Sequence, residues 1–278
     1  MRVISIQSQV VYGHVGNSAA VLPMQAKGIE VAAVPTALLS NHPHYPTMYG
    51  QVLTAELVAG LLRGIQERGL LEQTTAIVTG YLGSVENGEV VAEFVSRARA
   101  KNPDLIYVCD PVMGDDDLGL FVDEGLIGLF RDRLVSIASV ITPNQYEVEL
   151  LARTKARSAE GIAQAMHTLS QFGTEAAVVT GCVLDDTPTG SVETVAWTPE
   201  NLTRTVAPRL PIRPCGTGDL FTALLLSRLC NGETLWRASE LATSEILAVL
   251  ERTQTAGSAE MSLVGFPFAS TNIPKRAG

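Results

Sequence analysis

The run Arg213-Pro214-Cys215-Gly216-Thr217-Gly218-Asp219 places two glycines and a small hydroxyl residue just ahead of the most apolar helical stretch of the chain. Small residues there leave backbone N–H groups uncovered at the positive end of a helix, where they can converge on an anion. Asp219 falls in the first turn of that helix. The same pattern also describes a glycine turn with a helix-capping Asp, which needs no chemistry. No Lys-Ser/Thr pair follows, so a nucleotide-binding P-loop is disfavoured.

Three more segments hold polar groups where an apolar run ends. In Cys109-Asp110-Pro111-Val112-Met113-Gly114-Asp115-Asp116-Asp117, carboxylates could hold a hydrated Mg²⁺ beside phosphates. Asp110, at a strand terminus before Pro111, points to a ligand crevice, whereas Asp116 and Asp117 read better as a solvated acidic loop. In Thr142-Pro143-Asn144-Gln145-Tyr146-Glu147, Asn144 and Glu147 share one face of a starting helix. That spacing is also a capping box, a role compatible with organising metal-bound water. In Gln7-Ser8-Gln9-Val10-Val11-Tyr12-Gly13-His14-Val15-Gly16-Asn17, Ser8 stands at a strand end and Asn17 reads as a helix cap. His42 and His44 stand two residues apart with no acidic or thiol neighbour in sequence, so a loop or substrate flap is expected there and not a metal site.

These segments matter together only if the fold brings them to one edge. Short apolar runs at 3–7, 30–35, 75–79, 105–110, 139–142 and 176–180 alternate with helical-period stretches at 17–27, 54–68, 88–100, 123–133, 144–152 and 158–172. That alternation is the pattern of parallel strands joined by crossover helices, and ligands of such sheets bind outside the carboxyl ends of the strands. Beyond residue 182 the period changes, and 190–197 and 202–207 around Pro199 read as an antiparallel edge hairpin. Helical stretches at 218–230 and 235–252 follow. The expectation is an α/β fold with a mostly parallel central sheet flanked by helices, one domain over 1–254, and a loosely ordered tail over 255–278.

Composition narrows the partners. With 278 residues, 46% hydrophobic and 18% charged, the chain can bury a large core. A net charge of −9 disfavours nucleic acid and anionic membranes as partners. Phosphate ligands would have to be met locally, by helix N-termini, backbone N–H groups and a metal. The four cysteines, Cys109, Cys182, Cys215 and Cys230, lack zinc or disulfide spacing, which fits a reducing, cytoplasmic setting.

Taken in order, the segments quoted above resemble the pyridoxal kinase family of the ribokinase-like superfamily, and within it the PdxY-type pyridoxal/pyridoxamine kinases. Further carriers of the resemblance are Ser18-Ala19-Ala20, Ser40-Asn41-His42 and Thr79-Gly80-Tyr81-Leu82-Gly83; it extends over about residues 2–250. The resemblance implies the ribokinase-like fold, ATP and Mg²⁺, a further monovalent cation, a homodimer, and phosphorylation of the 5′-hydroxymethyl group of a B6 vitamer in salvage. It implies Asp219 as catalytic base, with Gly216, Thr217 and Gly218 as the anion cradle. Ser8, Pro43, His44, Tyr81 and Asp219 would meet the vitamer. Asp110, Thr142, Glu147, Thr180, Gly216 and Gly218 would serve ATP, with Asp110 and Glu147 holding the metal through water; Asp115 matches less securely.

Two departures stand out. Pro43 replaces a Thr common in the family, which removes a hydroxyl that His44 could stand in for. No Lys accompanies Thr180-Gly181, where some relatives carry one near the nucleotide phosphates. Two other readings are therefore kept: a hydroxymethylpyrimidine kinase, whose family usually has Cys where this chain has Asp219, and a B6-binding reservoir without catalysis.

Overall fold

The computed structural model describes residues 1–268. Its strands are β1 (Arg2–Val10), β2 (Glu30–Leu39), β3 (Gly50–Val52), β4 (Ala76–Thr79), β5 (Ile106–Cys109), β6 (Gly114–Asp115), β7 (Gly119–Leu120), β8 (Val140–Ile141), β9 (Ala177–Cys182), β10 (Ser191–Thr198) and β11 (Asn201–Pro208). Its α-helices are α1 (Asn17–Ala26), α2 (Ala55–Glu67), α3 (Val85–Lys101), α4 (Gly125–Leu129), α5 (Gln145–Ala152), α6 (Ala159–Ser170), α7 (Thr217–Cys230) and α8 (Leu235–Ala256).

Nine strands form one sheet in the order β11-β10-β9-β8-β5-β4-β1-β2-β3. The six from β9 to β2 are parallel, and the expected hairpin β10–β11 closes one edge. The other edge carries β3, antiparallel to β2, which is too short to show a period in the sequence. No helix among the described residues is long and apolar enough to cross a membrane.

Both faces of the sheet are covered, which is why its strands read as continuous apolar runs. Ile4, Ile6, Ile77 and Tyr107 face a core completed by Val58 of α2, Phe94 of α3, Val148 of α5 and Ile162 of α6. Val3, Val78 and Val108 face the opposite core with Met24 of α1, Leu224 of α7 and Ala242 of α8. Strand order reverses at β1, which lies between β2 and β4, so the crevice at a topological switch point opens beside the ends of β1 and β4.

Two expectations need correction. The stretch after α8 is not loose as far as residue 268: Met261 and Leu263 are buried against the α7–α8 core and Glu260 is buried too. Three polar and apolar anchors within four positions gave no periodic signal, and residues 269–278 of the expected tail lie outside the described part. The helix expected over 123–133 is a short α4 that runs into a π turn, Phe130–Leu134.

Candidate active site

β1 and β2 lose register between Gln7 and Gln9, opposite Pro35, which has no N–H to give the ladder. Ser8 falls at this irregularity, buried at the mouth of the crevice. Such bulges re-aim side chains beside sites. A Cβ on Gly16 would collide with Ser8, and Gly16 has a φ of 54°, so the loop returning from β1 packs directly onto that serine. Gly16, and not Asn17, caps α1; the Asn17 side chain is drawn inside, where Nδ2 donates to the carbonyls of Gln7 at 3.0 Å and Val34 at 3.3 Å.

The N-terminus of α7 faces that loop. Gly216 is its cap residue, with φ 81°, and any Cβ there would strike the backbone oxygen of His14. The first N–H groups of the helix carry no intrahelical partner, as at every helix start. Asp219 is partly exposed as a residue, yet its carboxyl is desolvated: burial pushes it up to about 6, against the pull of the Gly16 backbone N–H. The structure thus joins Gly216 and Asp219 to the β1 loop, with Thr217 and Gly218 between them at the start of α7.

Asp110 follows β5 and Glu147 stands on α5, and both are buried. Burial raises Asp110 well above the carboxylate range, and the charges of Glu147 and Asp219 raise it further; Thr222 Oγ1, donating to Oδ2 at 3.2 Å, opposes this. A Cβ on Gly218 would come 3.9 Å from the same Oδ2, so this carboxylate adjoins the cradle. Burial also lifts Glu147 to about 7, although N–H groups of Met113 at 2.9 Å, Asn144 at 2.9 Å and Gly114 at 3.4 Å donate to it. The capping box with Asn144 is complete, so the structural role is present. It does not exhaust Glu147, because a cap needs no buried charge next to a second carboxylate.

Neither carboxylate pairs with Lys or Arg among the described residues. Two desolvated acidic groups with oxygen donors and no cationic partner fit a hard divalent cation such as Mg²⁺.

The remaining expected residues are distributed as follows. Thr142 is buried at the end of β8, its hydroxyl 2.8 Å from that of Thr222. Thr180, near the end of β9, donates its N–H to the carbonyl of Pro143 at 2.9 Å, and Gly181 beside it adopts φ 66°. Tyr81 is half-buried after β4, where burial raises its phenol. Pro43 and His44 are exposed on the loop after β2, with His44 Nδ1 3.1 Å from Cys215 Sγ. Asp116 and Asp117 are surface partners of Arg157 and Arg213, and Asp115 Oδ1 turns its own loop by accepting the N–H groups of Asp117 at 2.9 Å and Leu118 at 2.7 Å.

Sequence reasoning missed Glu260. Its Oε1 lies 2.7 Å from His42 Nε2 and accepts from Tyr45 Oη at 2.7 Å, while Oε2 accepts the His14 N–H at 3.1 Å. A lone acidic residue in a stretch without periodicity offers no signal of this. The expectation that His42 and His44 lack acidic and thiol partners is likewise overturned, since Glu260 and Cys215 reach them through the fold.

Residues 19–263 match the family model described as phosphomethylpyrimidine kinase. The chain is 43% identical to the pyridoxal kinase PdxY of Rubrobacter xylanophilus over 95% of its own length and 91% of that protein's. It is 42% identical to a pyridoxine/pyridoxal/pyridoxamine kinase of Bordetella avium, covering 93% and 88% of the two chains. The pyridoxal kinase of Leishmania donovani, solved in complex with ADP and pyridoxamine, superposes with a TM-score of 0.87 at 29% identity, covering 96% of this chain and 94% of that one.

Proposed function

We propose, for a chain that belongs to the phosphomethylpyrimidine kinase family and matches B6 kinases over nearly its whole length, that it is an ATP-dependent pyridoxal kinase. It phosphorylates the 5′-hydroxymethyl group of pyridoxal, giving pyridoxal 5′-phosphate in B6 salvage, and takes pyridoxamine and pyridoxine as further acceptors. The observation that carries the reading is the desolvated Asp219 carboxyl beside the open N-terminus of α7.

Asp219, ionised, accepts the hydroxymethyl proton as the oxygen attacks the γ-phosphorus. The new P–O bond forms as the bond to the β-phosphate oxygen breaks, and ADP leaves with the electron pair. N–H groups of Gly216, Thr217 and Gly218 hold the transferring phosphoryl oxygens, and such preorganised donors with positioning supply most of the rate in this chemistry. Asp110 and Glu147 would hold Mg²⁺ through water. When bound, the ion neutralises phosphate charge. Thr142 and Thr180 serve the nucleotide. Ser8, Tyr81, Pro43 and His44 surround the vitamer, with His44 standing in for the hydroxyl that Pro43 lacks. The protein works as a cytoplasmic homodimer and uses a monovalent cation beside Mg²⁺; sedimentation and a cation-dependence assay check these two points.

The discriminating experiment is ADP release with pyridoxal, pyridoxamine, pyridoxine and hydroxymethylpyrimidine as acceptors. Turnover is expected with the vitamers. A hydroxymethylpyrimidine rate far above every vitamer would replace this reading with that of a pyrimidine kinase. Vitamer binding without ADP formation would make the protein a reservoir.

A further inference from the structure

Cys215 has no part in the phosphoryl transfer, yet it has two imidazoles for company. The ligand atoms of His42, His44 and Cys215 all lie within 4.8 Å of one another, and Cys215 Sγ is 3.1 Å from His44 Nδ1. In a tetrahedral zinc centre, with bonds of about 2.0–2.1 Å to nitrogen and 2.3 Å to sulfur, ligand atoms stand about 3.4–3.6 Å apart. The cluster needs to close by about an ångström, and His44 is exposed on a loop where it can move.

His42 supplies a second, independent observation. Its residue is 6% exposed and its Nδ1 is buried without a hydrogen-bond partner, while Nε2 is engaged with Glu260. A neutral imidazole that donates from Nε2 to a carboxylate carries its lone pair on Nδ1, the arrangement by which outer carboxylates orient metal-binding histidines. Glu260 is itself held by Tyr45 and the His14 N–H, so the ring is set in place before any ligand arrives.

We propose that His42, His44 and Cys215 form a site for one thiophilic divalent cation, represented by zinc, with Glu260 as the orienting carboxylate and a fourth position open. Binding releases the Cys215 thiol proton to solvent as the thiolate bonds the metal. The donor set separates this site from Asp110 and Glu147, because nitrogen and sulfur ligands select soft ions and carboxylates select Mg²⁺. Once filled, it would tie the loop after β2 to the start of α7, so that cation and acceptor compete for the same loop. That competition rests on the kinase reading; the binding does not.

The test is titration of the full-length protein with Co²⁺ in the absence of nucleotide. One equivalent is expected to give a near-ultraviolet sulfur-to-cobalt charge-transfer band that Zn²⁺ abolishes by displacement. Cys215→Ser is expected to remove the band and His44→Ala to weaken Co²⁺ binding at least tenfold, with folding of both checked by circular dichroism. Glu260→Gln should keep the band with affinity reduced about ten- to hundredfold. No band in the unaltered protein, a band that survives Cys215→Ser, or unchanged affinity in His44→Ala would overturn the site; unchanged affinity in Glu260→Gln would overturn the role given to Glu260.

Discussion

Glu260 Oε1 and His42 Nε2 meet at 2.7 Å across 218 positions of the chain. The same carboxylate holds Tyr45 and the His14 N–H, so a residue beyond α8 ties together the loops that follow β1 and β2. Burial opposes charge on Glu260, but hydrogen bonds from Tyr45 and His42 outweigh it and hold the carboxyl below its ordinary range. The stability this gives is therefore present above the unfolded-state pKa and is lost as pH falls through the lower folded-state value.

Met261, at 1% exposure, anchors the segment that delivers Glu260. Met261→Ala should lower unfolding free energy by about 2–5 kcal/mol, the usual range for emptying a buried Met position. Denaturant melts would show this as a shifted midpoint with an unchanged slope. A change under about 0.5 kcal/mol, the range of neutral surface substitutions, would mean that the segment contributes little to the core.

Gly216 has φ 81° and its Cα faces the His14 oxygen. Gly216→Ala must therefore strain the backbone and push the β1 loop away, costing about 1–3 kcal/mol. Because the displaced loop carries Gly16, the N–H on Asp219 goes with it. The expected reading in an ADP-release assay is a kcat loss well beyond the fraction of protein unfolded.

Asp219→Asn should lower kcat at least a hundredfold with little change in ATP affinity, on the scale of general-base loss. Its effect on stability runs the other way. The folded-state pKa of about 6 exceeds the ordinary aspartate value of 3.8, so the folded state binds the proton more tightly and stability falls as pH rises between those values. Replacing the charge at pH 7.5 should therefore raise the melting temperature, and at pH 4 should leave it nearly unchanged.

The same value sets a pH profile for activity. kcat/KM for the vitamer should fall on the acid side with an apparent pKa near 6, since Asp219 must be ionised to accept a proton. Stopped assays from pH 5 to 8 would read it. An acid limb that persists unchanged in the residual activity of Asp219→Asn would assign it to another group.

Glu147→Gln separates capping from charge. The amide has one acceptor oxygen where the carboxylate has two, so with that oxygen on the Asn144 N–H the start of α5 should hold while the Met113 and Gly114 N–H groups lose their acceptor. Removal of a buried charge offsets that loss, and thermal stability near pH 8 should change little. The Mg²⁺ concentration for half-maximal turnover should rise at least tenfold. Equal Mg²⁺ dependence in the two proteins would leave Glu147 a cap only.

The six parallel strands were legible in the sequence because a strand buried on both faces must be apolar at nearly every position, as in Ile4, Val78 and Val108. Polar residues that end such runs, Ser8, Asp110 and Thr142, stood out for the same reason. The edge strand β3 did not, being three residues long, and neither did the irregularity at Pro35 that re-aims Ser8. Asn17 carried the local signature of a cap, but two strand carbonyls outcompeted the helix end for its side chain.

By itself the sequence determined the α/β alternation, the ordered strand-end motifs and the glycine cradle before Asp219, since these depend on periodicity and on residue type within a few positions. The tertiary structure decided how charge and proximity act between distant segments. It set Glu147 and Asp219 close enough to Asp110 to raise the cost of ionising it, and it brought Cys215 and Glu260 to the two histidines. Desolvation and through-space contact depend on the packing of α7, α8 and the loops around one sheet edge, and no local pattern of residues encodes that distance.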